Sequence, residues 1–243
     1  MEKAFEFVCM SFENAVCDDE NLNAYLHPRE LERIKNAVEK RKLEFLYGRL
    51  CAKFAYAKLN GFGAYDSHLC ILNDSRSAPF FADGTRSVSI THGEGLAAAI
   101  VTDRERLSVG IDVQNMSPKH TQVITRFLSE KEKAFFDAQN AQYGRDFLAT
   151  AMWVAKEALS KLLLLGFSVF DALEVSNFEK NGDLSVKFTN FTGFSVIIRT
   201  YGNYLFGFAA HNKDIEYFGE DSLVIEETSI TALTQSRVFN KAP

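Results

Sequence analysis

Two stretches of this 243-residue chain run through the same order of elements and meet near Asp103. In the first, residues 4–12 form a Phe- and Val-rich strand. Residues 28–59 read as a helical stretch, opened by Pro28 and closed by Gly61 and Gly63. Residues 73–84 have loop composition, and residues 87–91 and 96–102 are two short strands about a turn at 92–95. In the second, residues 107–114 form a strand, and residues 122–140 and 145–165 form helices, the last stopped by Gly166. Strands then follow at 172–178, 184–188, 194–201 and 204–210, with Tyr201-Gly202-Asn203-Tyr204 as a hairpin turn. Residue identity between the two runs is negligible, so only the pattern repeats. It constrains the chain to an α+β fold of two small halves packed side by side, with a cleft between them. The expected boundaries are an N-terminal half at 1–105, a C-terminal half at 106–227 and a tail at 228–243.

Hydrophobic residues make up 47% of the chain, enough for a sizeable core and too many for gross disorder. Lys and Arg total 27 against 32 Asp and Glu, a net charge of −5 that weighs against a general nucleic-acid binder. No apolar run approaches the roughly 18 residues that span a bilayer, and the acidic N-terminal segment lacks a secretory pattern. A cytoplasmic protein with no membrane partner is therefore expected. Cys9, Cys17, Cys51 and Cys70 include no C-x-x-C pair, and the five histidines are scattered, so neither a zinc cluster nor a disulfide framework is expected. Residues 28–59 carry nine Lys or Arg against four acids, a solvated helix face unless a ligand claims it.

Three stretches could carry chemistry. In Val109-Gly110-Ile111-Asp112-Val113-Gln114, strand alternation puts Gly110, Asp112 and Gln114 on one face. A carboxylate and an amide oxygen beside a glycine that lets something large approach suit Mg2+, although an Asp at a strand end is also an ordinary feature. In Trp153-Val154-Ala155-Lys156-Glu157-Ala158-Leu159-Ser160-Lys161, Trp153, Glu157 and Lys161 share a helix face. They read either as a core anchor with a surface ion pair or as a second carboxylate with phosphate-binding cations. In Ser87-Val88-Ser89-Ile90-Thr91-His92-Gly93, a hydroxyl, an imidazole and a glycine backbone can donate to phosphate, although a lone His in a turn is commonly just exposed.

The order of these motifs is more specific than any one of them. T-H-G, then V-G-I-D-V, then F-L-S-x-x-E from Phe127 to Glu132, then W-V-A-K-E-A-x-x-K resembles the 4′-phosphopantetheinyl transferase superfamily. Length and the two-half pattern look like its large, surfactin-synthetase type, a pseudodimer in one chain. The resemblance runs from about Arg41 to Gly166 and more faintly to Ala210. It implies coenzyme A as donor, Mg2+ as cofactor and a serine of an acyl or peptidyl carrier protein as acceptor, in a monomer with its active site in the cleft between the halves. It further implies Asp112 and Glu157 as metal ligands, with Gln114 in the third ligand position. His92 and Lys161 would contact the coenzyme A phosphates, and Pro79, Thr91 in place of the usual Ser, Asp112 and the motif lysine Lys156 would also belong to the coenzyme A site. Arg41 and Arg49 fit the family's R-x-x-x-F-x-x-G-R run near the nucleotide 3′-phosphate, with Lys53 as a lesser candidate.

The chain departs from the family pattern in three places. Gln114 replaces a common acid. The G-K-P run survives only as Ser77-Ala78-Pro79, with Arg76 as a possible substitute, and the G-x-G after Lys161 is Leu164-Leu165-Gly166, which suggests a longer helix. The resemblance implies that Glu157 takes the proton of the carrier serine as it attacks the β-phosphate, releasing adenosine 3′,5′-bisphosphate. Residues 119–133 are the expected carrier dock, with Lys119, Arg126, Lys131 and Lys133 set among Ile124, Phe127 and Leu128. The rival readings are a coenzyme A-binding relative without transferase activity and a Mg2+-dependent phosphohydrolase.

Overall fold

The computed structural model describes residues 3–62, 66, 68–181, 183–219, 223 and 225. The expected tail at 228–243 and Gly63 lie outside them. The chain divides into two compact units, one running to Leu107 and the other starting at Ser108.

The first unit opens with β1 (Phe5–Ser11). Three helices follow, α1 (Asp19–Tyr25), α2 (Pro28–Ile34) and α3 (Glu39–Leu59), then β2 (Ile71–Asn73), β3 (Pro79–Phe81), β4 (Arg86–Gly93) and β5 (Leu96–Asp103). An antiparallel sheet in the order β1-β5-β4 packs on α3, and β2 and β3 pair as a separate antiparallel ribbon. The fully buried Ala97 and Ala99 occupy one face of the middle strand, and their small side chains let α3 come near enough for Cys51 Sγ to donate to the Ala97 carbonyl at 3.4 Å. Nearly every residue from Phe45 to Ala57 is buried, the pattern of a helix enclosed on all sides.

Three expectations for this unit need correction. The single helix at 28–59 is two, α2 and α3, with α1 before them, and β3 lies in the stretch read as a loop. The basic stretch is not one solvated face: Arg29, Arg33, Lys35, Lys40 and Arg41 are exposed, whereas Arg49 and Lys53 are inside the unit.

The second unit contains β6 (Gly110–Asn115), α4 (Pro118–Ile124), α5 (Glu130–Tyr143), α6 (Arg145–Leu163), β7 (Val175–Asn181), β8 (Asp183–Phe188), β9 (Phe194–Tyr201) and β10 (Tyr204–His211). The five strands form one antiparallel sheet in the order β6-β10-β9-β8-β7, and α6 packs across β6, β10 and β9. Each unit is thus an antiparallel sheet on a long helix, one form of the α+β half that the repeated pattern predicts. The helix expected at 122–140 is broken into α4, a 3-10 turn at Thr125–Phe127 and α5, with Ser117 and Ser129 capping the two α-helices. The strand expected from residue 172 begins at Val175 instead, after a 3-10 turn at Phe167–Ala172. α6 is not lengthened by the lost G-x-G: it stops at Leu163, because Leu164 adopts the left-handed conformation, φ 55°, that usually falls to glycine.

Candidate active site

The site in the second unit begins with two glycines. A Cβ on Gly110 of β6 would stand 2.0 Å from the Ala158 carbonyl oxygen and 2.6 Å from the Leu162 nitrogen. On β10, Gly207 is the register partner of Asp112, and a Cβ there would stand 2.9 Å from the Val154 carbonyl oxygen. The large object that Gly110 admits is therefore the backbone of α6. Strand and helix meet without intervening side chains, and the next helix-facing residue of β6, Asp112, is brought to the α6 surface.

There Lys161 Nζ donates to Asp112 Oδ1 at 2.7 Å and to the Ile111 carbonyl at 3.0 Å. One turn earlier on the same helix face is Glu157. Its Oε1 is buried and has no hydrogen-bond partner among the described residues. Burial, and after it the Asp112 carboxylate, push the Glu157 carboxyl up to about 7, with the Lys161 ammonium opposing the rise. Two carboxylates thus share one field, and one of their oxygens is desolvated without compensation, an arrangement that a cation or a proton would relieve.

Among the described residues no three His, Cys, Asp or Glu gather at one point. A cation at this place would therefore have two carboxylates and take its other donors from an amide, from water or from substrate. Mg2+ fits such a set, because it binds oxygen and usually keeps several waters. Gln114 lies on the same face of β6 as Asp112 and is half-buried. Its Nε2 is 2.8 Å from Nδ1 of His120 on α4, a residue for which the sequence analysis assigns no role.

In the first unit, Arg41 Nη1 lies 2.8 Å from His92 Nε2, bringing together two of the residues assigned to coenzyme A phosphates. Glu44, unassigned from sequence, accepts from the same Arg41 nitrogen at 3.2 Å. The other assigned residues are placed differently. Thr91 is buried, at 2% exposure, next to the half-exposed His92. Arg49 is buried over the Phe45 ring, with Nη2 donating to Asn73 Oδ1 at 2.6 Å; burial lowers it to about 10. Pro79 opens β3 opposite that same Asn73.

Lys53 and Lys156 correct the ligand-contact reading most plainly. Lys53 is fully buried and donates to Glu30 Oε2 at 2.8 Å and to the Tyr25 carbonyl at 3.0 Å. Lys156, at 1% exposure, donates to Glu132 Oε2 at 2.8 Å. A lysine with so little exposed surface and a carboxylate partner is an internal support rather than a contact for a soluble ligand.

The stretch at 119–133 also changes. Ile124 and Leu128, expected to bury against a partner, belong to the unit's own core, while Val123 and Phe127 are the exposed apolar residues. Lys119, Arg126, Lys131 and Lys133 are all exposed around them.

Comparisons with known proteins bear on the family of the chain. A model of the 4′-phosphopantetheinyl transferase N-terminal domain matches residues 28–102, and one of the 4′-phosphopantetheinyl transferase superfamily matches residues 108–227. The chain is 31% identical over 136 residues to the 4′-phosphopantetheinyl transferase Npt of Nocardia iowensis, which is 56% of this chain and 57% of that protein. It is 38% identical over 86 residues to the holo-[acyl-carrier-protein] synthase of Listeria welshimeri, 31% of this chain and 72% of that one. The match thus spans little more than half the length of the Nocardia relative. A crystal structure of a holo-(acyl-carrier-protein) synthase from Bacillus anthracis, in complex with CoA (3′,5′-ADP), covers 41% of this chain and 94% of its own. Its identity is 24% and its TM-score 0.36, a likeness too slight to place any residue.

Proposed function

Because the chain belongs to the 4′-phosphopantetheinyl transferase superfamily, we propose that it transfers the 4′-phosphopantetheine group of coenzyme A to a serine of an apo acyl or peptidyl carrier protein. The observation that carries this reading is the pairing of Asp112 with Glu157 beside Lys161, with one Glu157 oxygen buried and unpartnered. Asp112 and Glu157 would hold Mg2+, with Gln114 as the neutral third donor; bound, the ion supplies positive charge to a pyrophosphate and its leaving group.

In the reaction, the serine Oγ attacks the β-phosphorus of coenzyme A, and the bond from that phosphorus to the oxygen bridging the α-phosphate breaks. Adenosine 3′,5′-bisphosphate leaves with the electron pair. Glu157 would take the serine proton; its carboxyl stands near 7 in the metal-free chain and a bound cation would lower it. Lys161 donates to Asp112 and adds an ammonium beside the phosphates. Arg41, which donates to His92 Nε2, would offer its guanidinium to a phosphate of the nucleotide with His92 beside it. Such a transfer depends mainly on positioning and charge, so few groups need to do chemistry. Lys119, Arg126 and the exposed Phe127 would meet an acidic carrier.

The deciding experiment incubates the chain with coenzyme A, Mg2+ and a panel of apo carrier proteins and weighs the carriers. A mass gain of one phosphopantetheinyl group is expected. Coenzyme A binding with no carrier modified would favour the inactive-relative reading, and phosphate release without any carrier would favour a phosphohydrolase.

A further inference from the structure

A carboxylate presents two equivalent oxygens, whereas an amide presents one oxygen and one NH2, and only the oxygen can face a cation. Gln114 therefore needs an orientation that an acid would not. His120 is placed to supply it. Ser117 caps α4 by accepting from the His120 backbone N–H at 3.2 Å. Thr121 ties α4 to α6 through a 2.6 Å hydrogen bond to Asp146. On this anchored turn, His120 Nδ1 lies 2.8 Å from Gln114 Nε2 and 3.0 Å from the Asn115 carbonyl oxygen. The ring therefore decides which end of the amide it takes. With its proton on Nε2, Nδ1 accepts the Gln114 N–H, the nearer neighbour, leaves the Asn115 carbonyl to another donor and turns the amide oxygen elsewhere; with the proton on Nδ1 the ring would instead donate to the Asn115 carbonyl and draw the amide oxygen toward itself. The helix-facing side of β6, where Gln114 sits, also carries Asp112.

We propose that His120 is a positioning residue that holds the Gln114 NH2, so that the Gln114 oxygen serves the divalent cation of Asp112 and Glu157. Through this contact the chain uses a neutral third donor where a symmetric carboxylate would need no support. The proposal rests on the transferase reading of that site.

The test is a double-mutant cycle on cation affinity, read without turnover. Mn2+ is titrated into the full chain with coenzyme A present, and free Mn2+ is followed by electron paramagnetic resonance. His120→Ala is expected to weaken Mn2+ binding by about tenfold or more, the usual scale for loss of a group that orients a ligand. In a Gln114→Glu background the same change is expected to leave Mn2+ affinity within about twofold, since a carboxylate offers an oxygen either way. Equal weakening in both backgrounds, or none in either, overturns the role of His120 while leaving the metal site intact. No Mn2+ binding by the unmodified chain, or binding unchanged in Asp112→Asn, overturns the metal site itself and the proposal with it. Thermal unfolding of each variant separates misfolded protein from altered affinity.

Discussion

Lys156 and Glu132 form a buried ion pair, Nζ to Oε2 at 2.8 Å, with 1% and 0% of their side chains exposed. Glu132 is the third residue of the capping box of α5: the same Oε2 accepts the Ser129 N–H at 2.9 Å, and Oε1 accepts the Val175 N–H at the start of β7, also at 2.9 Å. The first unit repeats this arrangement. Glu30, third residue of the capping box of α2, takes Lys53 of α3 at 2.8 Å and the His27 N–H at 2.8 Å on Oε2, and takes the Ile71 N–H of β2 at 3.0 Å on Oε1. In both units one carboxylate ties the long helix, a helix cap and a strand start together. The repeat is therefore one of hydrogen bonding as well as of element order.

That geometry predicts a stability effect for Lys156. Removing one partner of a buried pair leaves the other charge uncompensated, which costs about 3–5 kcal/mol. Lys156→Ala is expected to lower the unfolding free energy by that amount in a urea titration. Protein that remains folded is expected to keep its affinity for coenzyme A. A variant of unchanged stability with weakened coenzyme A binding would return Lys156 to the ligand contacts.

For Glu157 the expectation is the reverse. Glu157→Gln removes the proton acceptor and one anionic donor, and with them a buried charge that lies beside Asp112. Turnover is expected to fall at least 100-fold, the usual lower bound for loss of a general base, while the protein remains as stable as before or becomes more so. Carrier modification measured by mass, beside a urea titration, checks both halves. Full activity in this variant would remove Glu157 from the mechanism.

The Asp112–Glu157–Lys161 set is legible in the sequence through the order of the motifs and the family resemblance it carries, while two local periodicities place its members only on their own elements. Alternation along β6 puts Asp112 on the face of Gly110, and helical spacing puts Glu157 and Lys161 on one face of α6. The inward course of Lys53 and Lys156 is not legible, because their partners are 23 and 24 residues away, beyond any local pattern. Pro28 marks the start of α2 locally, whereas residues 122–140 read as one helix through Ser129, and nothing local says that Glu30 and Glu132 also serve a second helix and a strand. Gly110 shows the same limit: the residue announces a close approach, and only the packing of α6 says what approaches.

Gly110→Ala tests that packing. The added methyl would need the Ala158 carbonyl to move well beyond its 2.0 Å separation. Overpacking of this kind costs typically about 1–3 kcal/mol, and here the atoms that must give way are helix backbone. Parting β6 from α6 also separates Asp112 from Lys161, so stability and activity are expected to fall together. A stable, active variant would show that strand and helix are not held at this distance in solution.

Leu164 offers a change in the stabilising direction. It is 44% exposed and takes φ 55° at the end of α6, a conformation costing a non-glycine residue about 1 kcal/mol or more. Leu164→Gly relieves that cost but frees the unfolded chain, so the expected net gain is about 0.5 kcal/mol. Thermal unfolding at fixed pH measures it, and a loss of stability would mean that the Leu164 side chain contributes packing worth more than the strain.

The raised Glu157 carboxyl sets a pH dependence whose sign can be worked out. Its value in the folded chain is about 7, against an ordinary 4.5 when unfolded. Below pH 4.5 the group is protonated in both states, so burial carries no charge penalty. Between 4.5 and 7 the unfolded chain releases the proton while the folded chain retains it, and folding loses stability as the pH rises. At about 1.36 kcal/mol per unit, the loss is on the order of 3 kcal/mol once the pH passes 7. Urea titrations in EDTA at several pH values, comparing the unmodified chain with Glu157→Gln, isolate this contribution. The stability difference is expected to move against the unmodified chain across that window and then level off. A difference that stays flat with pH would place Glu157 in a hydrated, ordinary environment and remove the basis for its role as the proton acceptor.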